Sequence, residues 1–263
     1  GGEVASDAPP SPAVRWFVAE VVSKKKPDTQ KLGEMVGSGS SAAQKIGAAM
    51  ALGLLDRNSV GTGERQVLET RGLTAAEAEV REASAYALGR VGSDSSASPL
   101  TSAIWDADER VRIAALRALA MLKPDNEETV KAVGQLIGHE PRTDEGESRK
   151  AIQFPVVREY AAEALGAVAH PASLRDLIRG CRDNMRNVRE ASNTAVRKLH
   201  EKHKEMAKAA FDLLNSEAEK SEDRTGAALA LGQMGDAAFG KPLIFRVLDE
   251  NAPRVLRDQD PAV

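Results

Sequence analysis

Cysteine, aromatic residues and long apolar runs are all scarce in this 263-residue sequence. Its single cysteine, Cys181, excludes an intrachain disulfide bond and a cysteine-based metal site. Aromatic residues make up only 3% of the sequence, so a core has to be built from alanine, leucine and valine. No apolar run approaches the length of a membrane-spanning helix. What remains is a globular chain with 42% hydrophobic and 29% charged residues.

An excess of positive charge is also missing. The sequence has 36 Lys and Arg residues against 39 Asp and Glu residues, which gives a formal net charge of -3. This balance provides no electrostatic reason to expect a nucleic-acid backbone as the main partner. Binding to nucleic acid would need a local basic surface with exposed aromatic residues, and it stays open as an alternative function.

One thirteen-residue pattern recurs six times along the chain. When the first residue of each copy is position 0, position +1 is always basic, position +7 is always alanine and position +8 is leucine or valine. Positions 0, +3, +4, +7, +8 and +11 share one face of an α-helix, and they hold the apolar and small residues. The pattern predicts six amphipathic helices, with the alanine where a neighbouring helix comes closest. The copies span residues 44–56, 80–92, 111–123, 157–169, 188–200 and 223–235.

The spacing of the copies predicts a second helix in each repeat. Successive copies start 36, 31, 46, 31 and 35 residues apart, and 31 residues are enough for two short helices and two turns. The 46-residue step contains a polar insertion at 139–155, which we expect to be an exposed loop that is either functional or a tolerated surface insertion. First helices are predicted at 98–108, 127–138, 172–183 and 204–215.

The order of a short helix, an aspartate and the run Val–Arg–x–x–Ala–x–x–Ala–Leu–Gly resembles the HEAT-like repeats first noted in phycobilisome lyases and found in many bacterial scaffold proteins. Residues 98–122 carry the closest match, and the resemblance covers roughly residues 30 to 250. It implies an all-α fold, a right-handed α-α superhelix (solenoid) of about six helix pairs with capping helices. It says little about function, because this fold serves unrelated roles.

The predicted organisation is one solenoid with distinct ends. Residues 1–12 are small, acidic and proline-rich and are predicted to be a flexible tether, of the kind that removal of an N-terminal signal also leaves. The sequence therefore leaves a cytoplasmic and an extracytoplasmic location open. The solenoid is predicted to span 13–251, with a capping helix at 13–24 and the first helix of a seventh pair at 239–251. Residues 252–263 are predicted to be a tail.

No constellation of residues points to catalysis. Deoxyhypusine hydroxylase, a HEAT-like di-iron enzyme, carries His–Glu pairs early in its second helices, but the matching stretch here, 157–160, reads Val-Arg-Glu-Tyr. His200 and His203 are two ligands at most, on a segment predicted to be a solvated charged face. Cys181 has the helical spacing of a buried small residue rather than a reactive thiol. We therefore predict no catalytic, metal or cofactor residue and a non-enzymatic function; a lyase-like activity stays open as an alternative.

The basic residue at position +1 has two possible roles. It lies at the border of the buried face, just after turns that contain aspartate, so hydrogen bonds to turn carboxylates or carbonyls of adjacent repeats would explain its recurrence. A binding stripe for an acidic partner is the other interpretation. The row consists of Lys45, Arg81, Arg112, Arg158, Arg189 and Arg224.

A second row is the predicted binding surface for a protein or peptide partner. The resemblance implies that the second helices line the concave face, and positions +2, +5, +6 and +9 point away from the buried side. This row is apolar in the N-terminal half and acidic in the C-terminal half, although a capping helix or curvature could cover Ile46 and Met50. The predicted partner-binding residues are Met50, Glu82, Tyr86, Ile113, Leu116, Arg117, Glu159, Glu163 and Glu190, accompanied by Ile46 and Asn193.

Overall fold

A computed structural model describes residues 27–38, 41–137, 154–216 and 218–240, and the following refers to these residues. All their regular structure is helical. Twelve α-helices follow one another: α1 Thr29–Ser38, α2 Ala42–Leu54, α3 Thr62–Val67, α4 Ala78–Val91, α5 Ala97–Ala103, α6 Glu109–Leu122, α7 Glu127–Gly134, α8 Pro155–Val168, α9 Leu174–Gly180, α10 Arg186–Lys202, α11 Met206–Asn215 and α12 Ser221–Met234. A π-helical turn, Leu68–Gly72, continues α3, and 3-10 turns span Arg57–Ser59, Asp94–Ser96 and Pro171–Ser173.

The even-numbered helices coincide with the six sequence copies, so the predicted arrangement of six helix pairs is confirmed. In α4, for example, Val80, Ser84, Ala87, Leu88 and Val91 are all buried. These are positions 0, +4, +7, +8 and +11, the face that the helical period selects.

The first helices of the pairs are shorter than the sequence predicts. The segment predicted at 98–108 forms α5 only as far as Ala103, and the chain then turns through Trp105 and Asp106. Trp105 is consequently exposed, whereas its apolar position in a longer helix would have packed it inside.

Local capping explains where several helices begin and end. The Ser41 Oγ accepts a hydrogen bond from the Gln44 backbone N–H at 3.3 Å before α2. Asn126 does the same for the Thr129 N–H at 3.0 Å before α7. At the other end, α12 stops at Gly235, whose φ of 62° lies in the left-handed region that glycine adopts without strain.

The chain divides into two compact units, Gly1–Leu122 and Lys123–Val263. In the first unit, α4 packs between α2 and α6. Helix α1 packs on both α2 and α3, and helix α5 packs on α6. In the second unit, α10 packs between α8 and α12, α9 packs on α10 and α12, and α11 packs on α12. The single solenoid over 13–251 stays a prediction.

Glycine and alanine form the closest contacts between successive second helices. A Cβ atom built on Gly53 would lie 2.8 Å from the Cα of Ala87, and one built on Gly89 would lie 2.8 Å from the Cα of Ala118. In the second unit, a Cβ on Gly166 would lie 2.8 Å from the Cβ of Ala195. Position +9 of one copy therefore touches position +7 of the next, which explains the alanine at Ala87, Ala118 and Ala195.

Several predicted segments lie outside the described residues. These are the tether 1–12, the capping helix 13–24, residues 139–153 of the insertion, residues 241–251 of the seventh pair and the tail 252–263. Among the described helices, none is both long and apolar enough to cross a bilayer.

Candidate partner-binding surface

In the first unit the basic row holds turns in place. The Arg81 guanidinium donates from Nε and Nη2 to the two carboxylate oxygens of Asp106, at 2.7 and 2.8 Å, and from Nη1 to the Ala75 and Ala76 carbonyls, at 2.9 and 3.0 Å. Arg112, one copy later, donates to the Asp106 carbonyl at 2.7 Å. One turn thus receives two arginines from successive repeats, and the hydrogen bond that Arg81 donates to Asp106 raises the pKa of Arg81.

The second unit repeats this geometry. Arg158 donates to both carboxylate oxygens of Asp183, at 2.7 and 2.9 Å, and Arg189 donates to the Asp183 carbonyl at 2.7 Å. Arg224 donates to the Glu219 carbonyl at 3.0 Å. Together with the ion pair between Lys45 and Glu77 at 3.6 Å, these contacts confirm that the row bonds to turns of its own and adjacent repeats.

Position +5, and position +9 at Gly53, Gly89 and Gly166, were wrongly predicted to face outward. Leu116, predicted to bind a partner, is 0% exposed, and Ala49, Ala85 and Ala162 at the same position are also buried. The reason is that, within each unit, the second helices pack on one another as well as on the first helices. The outward sector is therefore narrower than half a helix, and it contains positions +2, +6 and +10.

In the first unit this sector forms an apolar row on three adjacent helices, which we call the apolar stripe. Three members are well exposed: Leu54 at 42%, Tyr86 at 43% and Met121 at 51%. Leu54 and Met121 stand at +10, four residues after Met50 and Arg117, and the i, i+4 spacing was the signal that could have identified them. The stripe consists of Ile46, Met50, Leu54, Tyr86, Ile113 and Met121.

The charged side chains beside the stripe already have partners. Glu82 lies 4.0 Å from Arg110, whose guanidinium also pairs with Asp108 at 3.0 Å. Burial raises the pKa of Glu82, whereas the hydrogen bond from Arg110 lowers that of Asp108. Arg90 donates from Nε to the Gly53 carbonyl at 2.6 Å and so fixes α4 to the end of α2. Arg117 is exposed, as predicted for this row.

The same sector is acidic in the second unit. Glu163 and Glu190 are exposed and Glu159 is half-buried. Asn187 donates from Nδ2 to Glu159, and Arg186 donates to Glu190 at 2.6 Å. Asn193, at the inner position +5, is half-buried. We call Glu159, Glu163 and Glu190 the acidic row.

The three titratable groups that the sequence analysis considered for chemistry each have different surroundings. Cys181 is buried, as predicted, and burial raises its pKa to about 12. His200 is buried at the end of α10, with Nε2 3.7 Å from Asp236, so the prediction of a solvated face was wrong for this residue. His203 makes a hydrogen bond with the Ala169 carbonyl at 3.1 Å. Within the described residues, no three His, Cys, Asp or Glu side chains are placed to hold a metal ion.

Two family models match the sequence. Residues 66–153 match the model of HEAT repeats, and residues 157–183 match the model of the PBS lyase HEAT-like repeat. Both segments contain copies of the thirteen-residue pattern. These two segments are similar to HEAT repeats, as the sequence predicts, and the regular structure of the described residues is all helical.

The solved structures that resemble this chain include the complex of CpcE and CpcF of phycocyanin lyase from Nostoc sp. PCC7120. The match has 18% identity, covers 92% of this chain and 85% of that chain, and has a TM-score of 0.49. A designed armadillo repeat protein in complex with the peptide (KR)4 shares 18% identity over 79% of this chain and 99% of that chain, with a TM-score of 0.44. Human deoxyhypusine hydroxylase in complex with glycerol shares 16% identity over 92% of this chain and 94% of that chain, with a TM-score of 0.36. No curated protein matches. These likenesses concern the fold.

Proposed function

We propose that this HEAT-like repeat protein is a non-enzymatic scaffold that binds a segment of a partner protein on its second helices. The apolar stripe of the first unit carries the proposal. Six apolar side chains occupy the outward positions of three adjacent helices, and the closest backbone approaches between those helices, Gly53 to Ala87 and Gly89 to Ala118, lie at other positions. Exposed apolar rows of this kind are typical of docking surfaces.

The stripe offers useful binding energy. Complete burial of a leucine, methionine or aromatic side chain contributes about 1.5 to 3 kcal/mol. Leu54, Tyr86 and Met121 are each partly covered in the folded chain, so covering the remainder contributes about 1 kcal/mol per side chain. The three together contribute about 3 kcal/mol, which corresponds to about a hundredfold in affinity.

The acidic row of the second unit suits a basic segment. Carboxylates at Glu159, Glu163 and Glu190 lie on two successive second helices, α8 and α10, where lysine or arginine side chains of a partner could reach them. A partner with a basic segment would bind there less tightly as salt is raised, whereas binding to the apolar stripe would not weaken.

The basic row supports a protein partner over nucleic acid. Arg81 and Arg158 each use two nitrogens on an aspartate, and Arg112 and Arg189 donate to turn carbonyls. These guanidinium groups would have to leave those bonds to neutralise phosphates.

The test is affinity purification from native cells, followed by binding measurements with the recovered partner and its fragments. Tyr86→Asp combined with Met121→Asp should weaken binding by at least about a hundredfold, because a charge would have to be desolvated beside the partner. Ile113→Asp should act in the same direction. Thermal unfolding verifies that the variants stay folded.

Phe154→Asp combined with Met185→Asp provides the matched control. These two residues are exposed to a similar degree, at 47% and 40%, directly precede α8 and α10, and belong to neither row. The control should bind like the parent. Equal binding by the stripe variant and the parent would refute the proposed surface.

A further inference from the structure

One arginine of the first unit lies between two exposed side chains of the apolar stripe. Arg90 occupies position +10 of α4, and Leu54 and Met121 occupy the same position of α2 and α6. All three side chains are exposed. On one side, the Arg90 Nε donates to the Gly53 carbonyl at 2.6 Å, and on the other, a Cβ atom built on Gly89 would lie 3.4 Å from the Met121 Sδ. The three side chains therefore form one short row across three helices.

The hydrogen bond to Gly53 uses one edge of the Arg90 guanidinium and leaves the other. Among the residues that the structure describes, the Arg90 side chain bonds to this carbonyl alone, and it does so from Nε. The donors on Nη1 and Nη2 stay available, and such a pair matches the two oxygens of a carboxylate. Because Nε is already held, less freedom is lost when a ligand binds. Arg90 thus presents an oriented pair of donors to the solvent.

No carboxylate nearby neutralises this charge. The nearest acidic residue on α4 is Glu82, eight residues earlier, which is about 12 Å along the helix axis. Glu82 lies 4.0 Å from Arg110, and a separation of 12 Å exceeds the screening length of about 8 Å at physiological salt. Within the described part of the chain, no Asp or Glu makes an ion pair with Arg90. The positive charge between Leu54 and Met121 is therefore uncompensated.

The stacking of the repeats does not require an arginine at this position. Position +1 is basic in every copy, whereas position +10 differs in chemistry from one copy to the next. The other five residues at +10 are Leu54, Met121, Ala167, Lys198 and Gln233. Arg90 is thus specific to the first unit, where the apolar stripe is found.

We propose that Arg90 binds the carboxylate of an aspartate or glutamate in the partner segment, while Leu54 and Met121 contact apolar residues on either side of it. This inference rests on the proposed function of the apolar stripe and adds the chemistry of its partner. A single guanidinium matches the single charge of a carboxylate. The apolar contacts would cover the pair, so salt screens it much less than an exposed pair.

The spacing of the helices gives the pattern of the partner sequence. Packed helices lie about 8 to 10 Å apart, and an extended segment advances about 3.3 Å per residue. A segment that crosses α2, α4 and α6 therefore places its apolar residues two or three positions from the acidic residue on each side.

The first measurement is a selection on the full-length chain from a phage-displayed library of random peptides. The peptides are about twelve residues long, enough to cross three helices, and are fused through their C-termini, so every carboxylate recovered is a side chain. Peptides that also bind the variant with Tyr86→Asp and Met121→Asp are removed. The remaining peptides should be enriched in an acidic residue with apolar residues two or three positions away on both sides.

The second measurement compares one recovered peptide with its amide form, in which glutamine or asparagine replaces the acidic residue. The parent chain should bind the acidic form about tenfold more tightly. Arg90→Gln should bind the two forms equally. Arg71→Gln is the matched control, because Arg71 is also an exposed arginine of the first unit but lies in the π-helical turn, and it should keep the tenfold preference.

The outcomes separate this inference from the proposed function. A selection without peptides that depend on Tyr86 and Met121 would refute the proposed function and this inference together. Peptides that depend on the stripe but carry no acidic residue, or that keep their acidic preference in Arg90→Gln, would overturn this inference alone. Thermal unfolding verifies that the variants are folded. If Arg90→Gln is not, Arg90→Lys takes its place, and the acidic preference should fall by about threefold or more because lysine lacks the paired donors.

Discussion

Replacing Arg158 with alanine tests whether the basic row holds the repeats together. Arg158 donates to both oxygens of Asp183, at 2.7 and 2.9 Å, and to Asn184 Oδ1 at 3.2 Å. The two side chains are only 11% and 6% exposed. Arg158→Ala would leave the Asp183 carboxylate in a poorly hydrated place, with the Met185 backbone N–H at 2.9 Å still donating to it.

The expected loss of unfolding free energy in Arg158→Ala is large for a single ion pair. Breaking a buried pair by removing one partner costs about 3 to 5 kcal/mol. Because Asp183 keeps one backbone hydrogen bond and a little solvent contact, we expect the lower end, about 3 kcal/mol. Each kcal/mol shifts the Tm of a domain of this size by about 2 to 4 °C, so the second unit should melt about 6 to 12 °C lower.

The assay is equilibrium unfolding in urea and by heat, followed by circular dichroism. Arg186→Ala is the control, since Arg186 and Glu190 are 84% and 61% exposed, and ion pairs this exposed contribute little to stability. A loss in Arg158→Ala no greater than in Arg186→Ala would refute the structural role. If partner binding failed at the same time, the basic row would have to be reassigned to binding.

Two further predictions concern packing. Gly89→Ala should destabilise the first unit by about 1 to 2 kcal/mol, because its Cβ would lie 2.8 Å from the Ala118 Cα and the two helices would have to separate. Gly232→Ala, whose Cβ meets nothing within 4 Å, should stabilise its helix by up to about 1 kcal/mol. Urea unfolding of both variants distinguishes the two signs. Cys181 should stay unlabelled by iodoacetamide at pH 8 in the folded chain and react after unfolding, because burial raises its pKa to about 12 and only the thiolate reacts; fast labelling of the native chain would contradict this.

The fold could be predicted from the sequence because its signals are repeated. The alanine at +7 and the apolar residues at +8 and +11 recur in copies with unequal spacing, and α2, α4 and the later second helices lie where those copies stand. The first helices carry less regular patterns, so their ends were less certain. Trp105 shows the consequence, since it follows the end of α5 and is exposed.

The binding surface was harder to predict because a helical wheel divides a helix into only two sides. On such a wheel, Leu116 and the glycines at +9 fall on the side that faces solvent. In the structure, neighbouring second helices cover most of these positions. The contact of a second helix with a second helix of the neighbouring repeat cannot be predicted from the hydrophobic period of one segment. It becomes visible only when Gly89 is seen against Ala118 of the next repeat.

The contacts that build the repeats and the positions that face outward place different demands on the sequence. The +7 alanine, the +1 basic residue and the buried leucines keep the same chemistry in every copy, because each helix must fit the next in the same way. Apart from Arg90 at +10, which donates to the Gly53 carbonyl, we see no such requirement at positions +2, +6 and +10. Their side chains change from Met50, Leu54 and Tyr86 in one unit to Glu163 and Glu190 in the other. Since stacking does not select these side chains, and exposed apolar residues reduce solubility, their pattern requires a cause outside the fold. The proposed partner segment would supply that cause, and the substitutions at Tyr86 and Met121 test it once thermal unfolding has verified that the variants stay folded.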